Sequence, residues 1–365
     1  MFQRWFTGIF FPIAGDVVVT TFFVISGFLT SLSGRPEPAS FTEAVKFVFM
    51  RWLRLAPIYY IAWVLRFGSR VMSAYLHQRC TSAVALYPAL IELTMLQSWL
   101  TIENGIKTTL IFAPSPLCDG RVLTINAAEG SFNGPAWFVS SLMGCTMIFA
   151  ICGRWLMAPL TTPCRALLAT LLACGLRTLC FLAHQNLLRP FTRPEHFDFF
   201  HHWPPAVFFA FFAGCATAKL VNLLQPGGSV RGWWGWVVVD PIIMVVSLVL
   251  MGCTLRVWPY MQLKHWSPIF CLFCFMNCCT HHGPTFRFLS HPALTSLGPP
   301  AYAAYLVQNM MFDVVNAFNW VWEPTGVVAA YIFFIGGTWT FGCILHYNVE
   351  IPIANRLQPC IKALR

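Results

Sequence analysis

Two arginines and two tyrosines lie close together in the stretch RWLRLAPIYY, residues 51–60. Arg51 and Arg54 are three positions apart, so a helix would place both side chains on one face. A guanidinium forms paired, charge-assisted hydrogen bonds with phosphate, and two guanidinium groups at a helix end suit a phosphorylated ligand. The other interpretation is a basic anchor followed by aromatic residues at a membrane surface. The residues of this stretch leave both interpretations open.

The stretch FFVISGFLTS, residues 22–31, is apolar enough to lie in a membrane, but Ser26 and Gly27 interrupt it at its centre. Small residues let two membrane helices approach closely. We therefore expect this break to be a helix contact, and we also expect it to keep a polar opening in the core.

Polar groups also lie in the last apolar segments. Tyr302 and Tyr305 share one helical face next to Gln308, and they form either an aromatic packing stripe or a polar lining that positions a hydroxyl. Glu350 ends the last apolar segment. Because a charge inside lipid is costly, we expect Glu350 to pair with an arginine, from the Arg51 and Arg54 region.

The composition is that of a membrane protein. Of the 365 residues, 57% are hydrophobic and only 10% are charged, against about 25% charged in an average soluble protein. The formal charge of +10 is spread thinly between apolar segments. It is therefore interpreted as loop charge that sets topology, and nucleic acid is not expected as a partner. Residues 1–365 are predicted to form one integral, multi-pass membrane domain.

Apolar stretches near the ~20 residues that cross a bilayer predict the helices. The predicted fold is an all-α transmembrane helix bundle of about nine or ten spans. The candidates are Ile9–Leu32, Leu55–Val71, Ser82–Leu100, Ala136–Ile151, Ala166–Ala183, Pro205–Leu223, Trp233–Cys253, Pro268–Cys279, Leu297–Phe312 and Gly326–Leu345. The basic loop between the first two spans is predicted to be cytosolic.

The cysteines and histidines do not indicate a metal site. Most of the 15 cysteines lie inside apolar segments, where cysteine behaves as a small apolar residue. Cys271 and Cys274, with the later pair His281 and His282, do not have the spacing of a zinc site. His201 and His202 are predicted to cap a span at the membrane interface.

Several stretches, taken in order, resemble one family. The resemblance is to acyltransferase family 3, the multi-span membrane acyltransferases of the nose-resistant-to-fluoxetine type, and it covers nearly the whole chain. Each motif is weak by itself, but their shared order is specific. The stretches are FFVISGFL, the Arg-x-x-Arg-x-x-Pro-x-Tyr-Tyr pattern at 51–60, PAWFVSSLM at 135–143, PPAVFFAFFAG at 204–214, PAYAAYLVQ at 300–308 and VEIP at 349–352.

The resemblance implies transfer of an acyl group, usually acetyl, from acyl-CoA to a hydroxyl of a glycan, lipid or small molecule. The expected partners are the lipid bilayer, acyl-CoA as co-substrate and the acceptor, with no permanently bound cofactor. Arg51 and Arg54 would hold the phosphates of CoA. The residues expected to line the substrate are Ser26, Gly27, Tyr59, Trp137, Ser140, Tyr302, Tyr305, Gln308 and Glu350.

The chain departs from the family pattern at its ionisable positions. The family's active histidine lies on a span before the FFVISGF span, but the first histidine here is His77. Leu142 and Met143 stand where the family has acids, and Gln308 stands where it has a histidine. We expect a chain that begins after the family's first span, or otherwise a diverged member without the standard base. A catalytically inactive scaffold and a transporter are the alternative functions.

Overall fold

The computed structural model describes residues 11–32, 37–76, 93–95, 98, 136–183, 203–224, 287–288, 290–317 and 319–364. The described elements are all helical. In chain order they are α1 (Phe11–Leu32), α2 (Phe41–Leu76), α3 (Ala136–Met157), α4 (Pro163–Ala183), α5 (Pro204–Leu224), the short α6 (Pro292–Thr295), α7 (Gly298–Ala317), α8 (Asn319–Leu345), a π-helical turn (His346–Glu350) and α9 (Ile351–Leu364).

Helix α5 is central among the described helices, because it packs against α1, α3 and α4. Helix α2 joins this group to the C-terminal helices through contacts with α3, α7 and the π-helical turn. Within the candidate spans, 72% of α3 and 67% of α5 are buried, against 28% of α4. The outward face of α4 carries exposed leucines, among them Leu168 and Leu172. A face of this kind suits contact with lipid.

Five stretches of the described helices are long and apolar enough to cross a membrane. They are Phe41–Arg66, Ala136–Met157, Pro163–Cys180, Pro204–Leu224 and Val328–Leu357. The apolar part of α1, Val19–Leu32, is shorter. The all-helical, multi-pass architecture predicted from the sequence is thus confirmed for these parts of the chain. The predicted spans Trp233–Cys253 and Pro268–Cys279, and most of Ser82–Leu100, lie outside the described residues.

Helix α2 begins well before the span that hydropathy predicted at Leu55. Its start carries a capping box, in which the backbone N–H of Glu43 donates to Ser40 Oγ at 3.2 Å and that of Ala39 donates to Glu43 Oε2 at 2.6 Å. Arg51 therefore lies within α2, ten residues after Phe41, rather than at a helix end. Hydropathy missed these first turns because charged residues, among them Glu43, Lys46 and Arg51, interrupt their apolar residues.

Helix α8 contains a break at Gly326, where φ is +84° and ψ is 167°. Only glycine adopts this backbone conformation without steric cost. The apolar span begins two residues later, at Val328. The position of this break agrees with the predicted start of the last span at Gly326.

Candidate functional site

Arg51 lies at the junction of three helices, and we call its group the arginine cluster (Ser26, Thr30, Arg51 and Phe211). Its guanidinium donates to Ser26 Oγ and to Thr30 Oγ1 at 2.9 Å. Its Cζ lies 5.8 Å from the centroid of the Phe211 ring, in the range of a cation–π contact. Thr30 Oγ1 itself donates to the Ser26 carbonyl at 2.6 Å. A charge that enters the bundle is thus surrounded by hydrogen-bond acceptors and an aromatic face.

The close contact of α1 with α5 positions Ser26 for this cluster. Gly27 faces the backbone of Phe211, and Gly214 faces the backbone of Val24, with no space for a Cβ at either glycine. The Cys215 thiol donates to the Gly27 carbonyl at 3.2 Å. The expected helix contact at Ser26 and Gly27 is therefore present, and it brings the Ser26 hydroxyl to Arg51.

Arg54 has a different environment from Arg51, although the two are neighbours on α2. Its side chain is exposed, whereas Arg51 is half-buried and hydrogen-bonded to α1. The guanidinium of Arg51 is thus already engaged in hydrogen bonds, whereas that of Arg54, one turn further along α2, faces outward. Of the two arginines, Arg54 has the exposure that an incoming phosphate requires.

An aromatic cluster, formed by Phe22, Phe23, Trp137, Phe138 and Tyr305, joins α1, α3 and α7. The ring of Phe138 lies 5.0 Å from that of Phe23, 5.7 Å from that of Phe22 and 5.5 Å from that of Tyr305. The last contact is edge-to-face, a favourable arrangement. Tyr305 and Trp137 are therefore brought together, and the ring of Tyr305 packs as part of an aromatic core.

Ser140 is fully buried on α3 and interacts with Ser98. Its Oγ accepts from the backbone N–H of Ser98 at 3.1 Å, and the Ser98 hydroxyl donates to the Trp137 carbonyl at 2.8 Å. These hydrogen bonds satisfy polar groups that would otherwise be costly inside the bundle. The expected lining residues Trp137 and Ser140 thus belong to one hydrogen-bonded contact with residue 98.

Tyr302 connects α7 to α2. Its hydroxyl donates to the Leu55 carbonyl at 3.0 Å, close to Pro57 in the same helix. Tyr59 is buried on α2, one turn after Leu55. Gln308 follows on α7 and is half-buried. The predicted residues Tyr59 and Tyr302 therefore lie together.

Glu350 is paired with a histidine rather than with the arginine that the sequence led us to expect. Its Oε2 lies 2.9 Å from His346 Nδ1, within the π-helical turn. Arg51 instead interacts with α1. The π-helical turn that holds Glu350 packs against α2 and α7. His346 was missed in the sequence, although its spacing of four residues from Glu350 places the two side chains on one helical face.

The buried arginine Arg66 was also missed. Arg66 on α2 is 4% exposed and forms an ion pair with Asp313 on α7. It also donates to the Asn309 carbonyl at 2.8 Å. The sequence does contain a signal for this ion pair, namely one arginine and one aspartate in separate apolar segments, because a charge in a span needs a partner.

Several predicted residues lie outside the described part of the chain, among them His201, His202, Cys271 and Cys274, together with the pair His281 and His282. Within the ranges that the structure describes, no group of three or more metal-ligating side chains occurs.

Comparison with known proteins gives one match. The model of the acyltransferase domain of the acyltransferase 3 family matches residues 1–345. No match was found among curated proteins or among solved structures. The family match spans the arginine cluster, the aromatic cluster, Tyr59 and Tyr302, and it ends just before the π-helical turn.

Proposed function

Since the chain belongs to the acyltransferase 3 family of membrane proteins, we propose that it transfers an acyl group from acyl-CoA to a hydroxyl inside the bilayer or at its surface. Acetyl-CoA is the proposed donor, and a glycan, a lipid or a small molecule is the proposed acceptor. The single observation that carries this proposal is the family match over residues 1–345.

Arg54 is the proposed contact for the phosphates of CoA. Its side chain is exposed on α2, and a guanidinium binds phosphate through charge-assisted hydrogen bonds. The role proposed for Arg51 is to hold α2 in register with α1, because its donors are engaged by Ser26 and Thr30. The two arginines of the motif are thus given different roles.

Tyr302 and Tyr59 are proposed to line the acceptor side. They lie on α7 and α2, and Tyr59 is five residues after Arg54, about 7.5 Å along a helix. A phosphate bound at Arg54 would therefore lie within two helical turns of the proposed acceptor residues.

The test uses membranes that contain the full chain together with acetyl-CoA labelled in the acetyl group. The expected result is label in the lipid, glycan or small-molecule fraction, with release of CoA. Membranes without the chain provide the background. Binding of acetyl-CoA without any transfer would indicate a scaffold. If the chain shows no binding and no transfer, the proposed enzyme is refuted.

Arg54→Ala tests the phosphate contact. We expect a several-fold rise in the KM for acetyl-CoA with little change in kcat, because the contact is made equally in the ground and transition states. The matched control is Arg165→Ala, which removes an exposed arginine from α4. An equal effect of the two substitutions would assign the change to net charge and remove the role of Arg54.

A further inference from the structure

The pair formed by His346 and Glu350 has the features of a built site rather than those of a surface contact. Nδ1 of His346 lies 2.9 Å from Oε2 of Glu350, and the two side chains are only 12% and 19% exposed. Both residues belong to a π-helical turn between α8 and α9. Single π-helical turns are rare, and they are frequent at functional sites.

The hydrogen bond determines which nitrogen of the imidazole can accept a proton. A carboxylate in its ionised form only accepts hydrogen bonds, so the proposal gives the shared proton to Nδ1 of His346. In the neutral ring, Nε2 then keeps its lone pair. A carboxylate that holds a histidine in this tautomer is the arrangement by which a histidine removes a proton from a hydroxyl.

The ring of His346 is also oriented by packing. The ring of Tyr347 meets it edge-on, at a centroid distance of 5.0 Å and an interplanar angle of 74°. The histidine therefore has two contacts that restrict its rotation, one through Glu350 and one through Tyr347. A base that is held in this way needs little reorganisation before it reacts.

The π-helical turn contacts the helices that carry the proposed acceptor residues. It packs against α2 and α7, the helices that carry Tyr59 and Tyr302. Tyr302 in turn donates to the Leu55 carbonyl of α2. His346 is therefore connected to the same side of the bundle as Tyr59 and Tyr302.

We propose that His346 is the general base of the acyl transfer and that Glu350 is its positioning residue. This inference rests on the function proposed above. Of the two histidines in the described ranges, His291 is exposed and accepts a hydrogen bond from the backbone N–H of Ala293. His346 is the one that combines a carboxylate partner with partial burial.

The step balances without a further reactant. Nε2 of His346 takes the proton of the acceptor hydroxyl while the oxygen forms a bond to the thioester carbonyl carbon. The carbon–sulfur bond then breaks, and the sulfur of CoA leaves with its electron pair. The protonated imidazole passes its proton to this sulfur, so the products are an ester and the free thiol of CoA.

A pair at this spacing also stabilises a helix without any catalytic role, and the experiment must separate the two roles. His346→Gln keeps a side chain that can donate to Glu350 but has no basic nitrogen. Glu350→Gln keeps a hydrogen-bond partner for Nδ1 but removes the negative charge that stabilises the protonated imidazole. Glu350→Asp keeps the carboxylate, one methylene further away.

The assay is transfer of label from acetyl-CoA in membranes that contain the full chain, with kcat and the KM for acetyl-CoA measured separately. We expect His346→Gln to lower kcat by about 100- to 10,000-fold with the KM unchanged. Glu350→Gln should lower kcat by at least about 100-fold, and Glu350→Asp should recover part of this loss. His291→Gln is the matched control, and its kcat should stay within about twofold of that of the unchanged chain.

A His346→Gln variant that retains more than about a tenth of the kcat would overturn the assignment, because a general base contributes at least about 100-fold. Equal loss in Glu350→Gln and Glu350→Asp, together with a lower unfolding temperature, would indicate a structural pair and would also overturn it. If the unchanged chain shows no transfer, both the proposed function and the assignment of His346 as the base are refuted. This outcome is distinguishable from a failure of the His346 assignment alone, because it is seen before any variant is made.

Discussion

Gly27→Ala tests whether the serine–glycine break in α1 exists for helix packing. A Cβ on Gly27 would lie 2.8 Å from the carbonyl carbon of Phe211 and 3.2 Å from its Cα. These atoms belong to the backbone of α5, so rotation of a side chain cannot relieve the overlap. The two helices must separate, and the hydrogen bond from the Cys215 thiol to the Gly27 carbonyl must lengthen.

The magnitude follows from two opposing effects at Gly27. Overpacking a tight contact costs about 1–3 kcal/mol, and an overlap with backbone belongs at the upper end of this range. Alanine is better than glycine in a helix interior by about 1 kcal/mol. We therefore expect Gly27→Ala to lower the free energy of unfolding by about 2 kcal/mol.

The assay is thermal or denaturant unfolding of the purified chain in detergent. Gly175→Ala on α4 is the matched control, because a Cβ there would meet no atom within 4 Å. We expect that substitution to stabilise the chain by up to about 1 kcal/mol. The two glycines should thus give changes of opposite sign.

The double variant Gly27→Ala, Gly214→Ala makes the test stricter. A Cβ on Gly214 would lie 2.8 Å from the amide nitrogen of Phe28, at the same contact between α1 and α5. One separation of the helices relieves both overlaps, so the double variant should cost less than the sum of the single variants. A Gly27→Ala variant as stable as Gly175→Ala, or strict additivity of the pair, would refute the reasoning.

Two further predictions concern polar contacts between α2 and α7. Arg66→Met leaves Asp313 without its guanidinium, and we expect a loss of about 3 kcal/mol in the free energy of unfolding. The double variant Arg66→Met, Asp313→Leu should recover most of that loss in the same detergent assay, and a failure to recover would contradict a buried ion pair. Tyr302→Phe removes the hydroxyl that donates to the Leu55 carbonyl and should cost about 1 kcal/mol. Tyr347→Phe, which changes an exposed side chain, is the control, and equal losses for the two tyrosines would argue against the hydrogen bond.

The membrane helices could be predicted well where apolar length alone defines them. Predicted spans at Ile9–Leu32, Ala166–Ala183 and Pro205–Leu223 correspond to helices at Phe11–Leu32, Pro163–Ala183 and Pro204–Leu224. The agreement is close because about 20 apolar residues are needed to satisfy the backbone inside lipid. The start of α2 was missed by 14 residues, since charged residues interrupt its apolar first turns, which are stabilised by a capping box at Ser40 and Glu43.

The candidate site was predictable as a set of residues but not as an arrangement. The spacing predicted that Arg51 and Arg54 lie on one helix, and both lie on α2, three positions apart. The sequence did not indicate that Arg51 turns inward to Thr30, 21 residues earlier, while Arg54 is exposed. That difference depends on how α1 and α5 pack beside α2.

By itself, the sequence determined that this is a multi-pass helical membrane protein, and the order of its motifs determined the acyltransferase 3 family. Both follow from local patterns, namely apolar length and short motifs. Only the tertiary structure decided that Ser26 and Phe211 meet at Arg51 and that Glu350 pairs with His346 in a turn packed against α2 and α7. The rotation of a membrane helix about its axis is set by its neighbours. For this reason, polar residues far apart in the chain find their partners only when the bundle is packed.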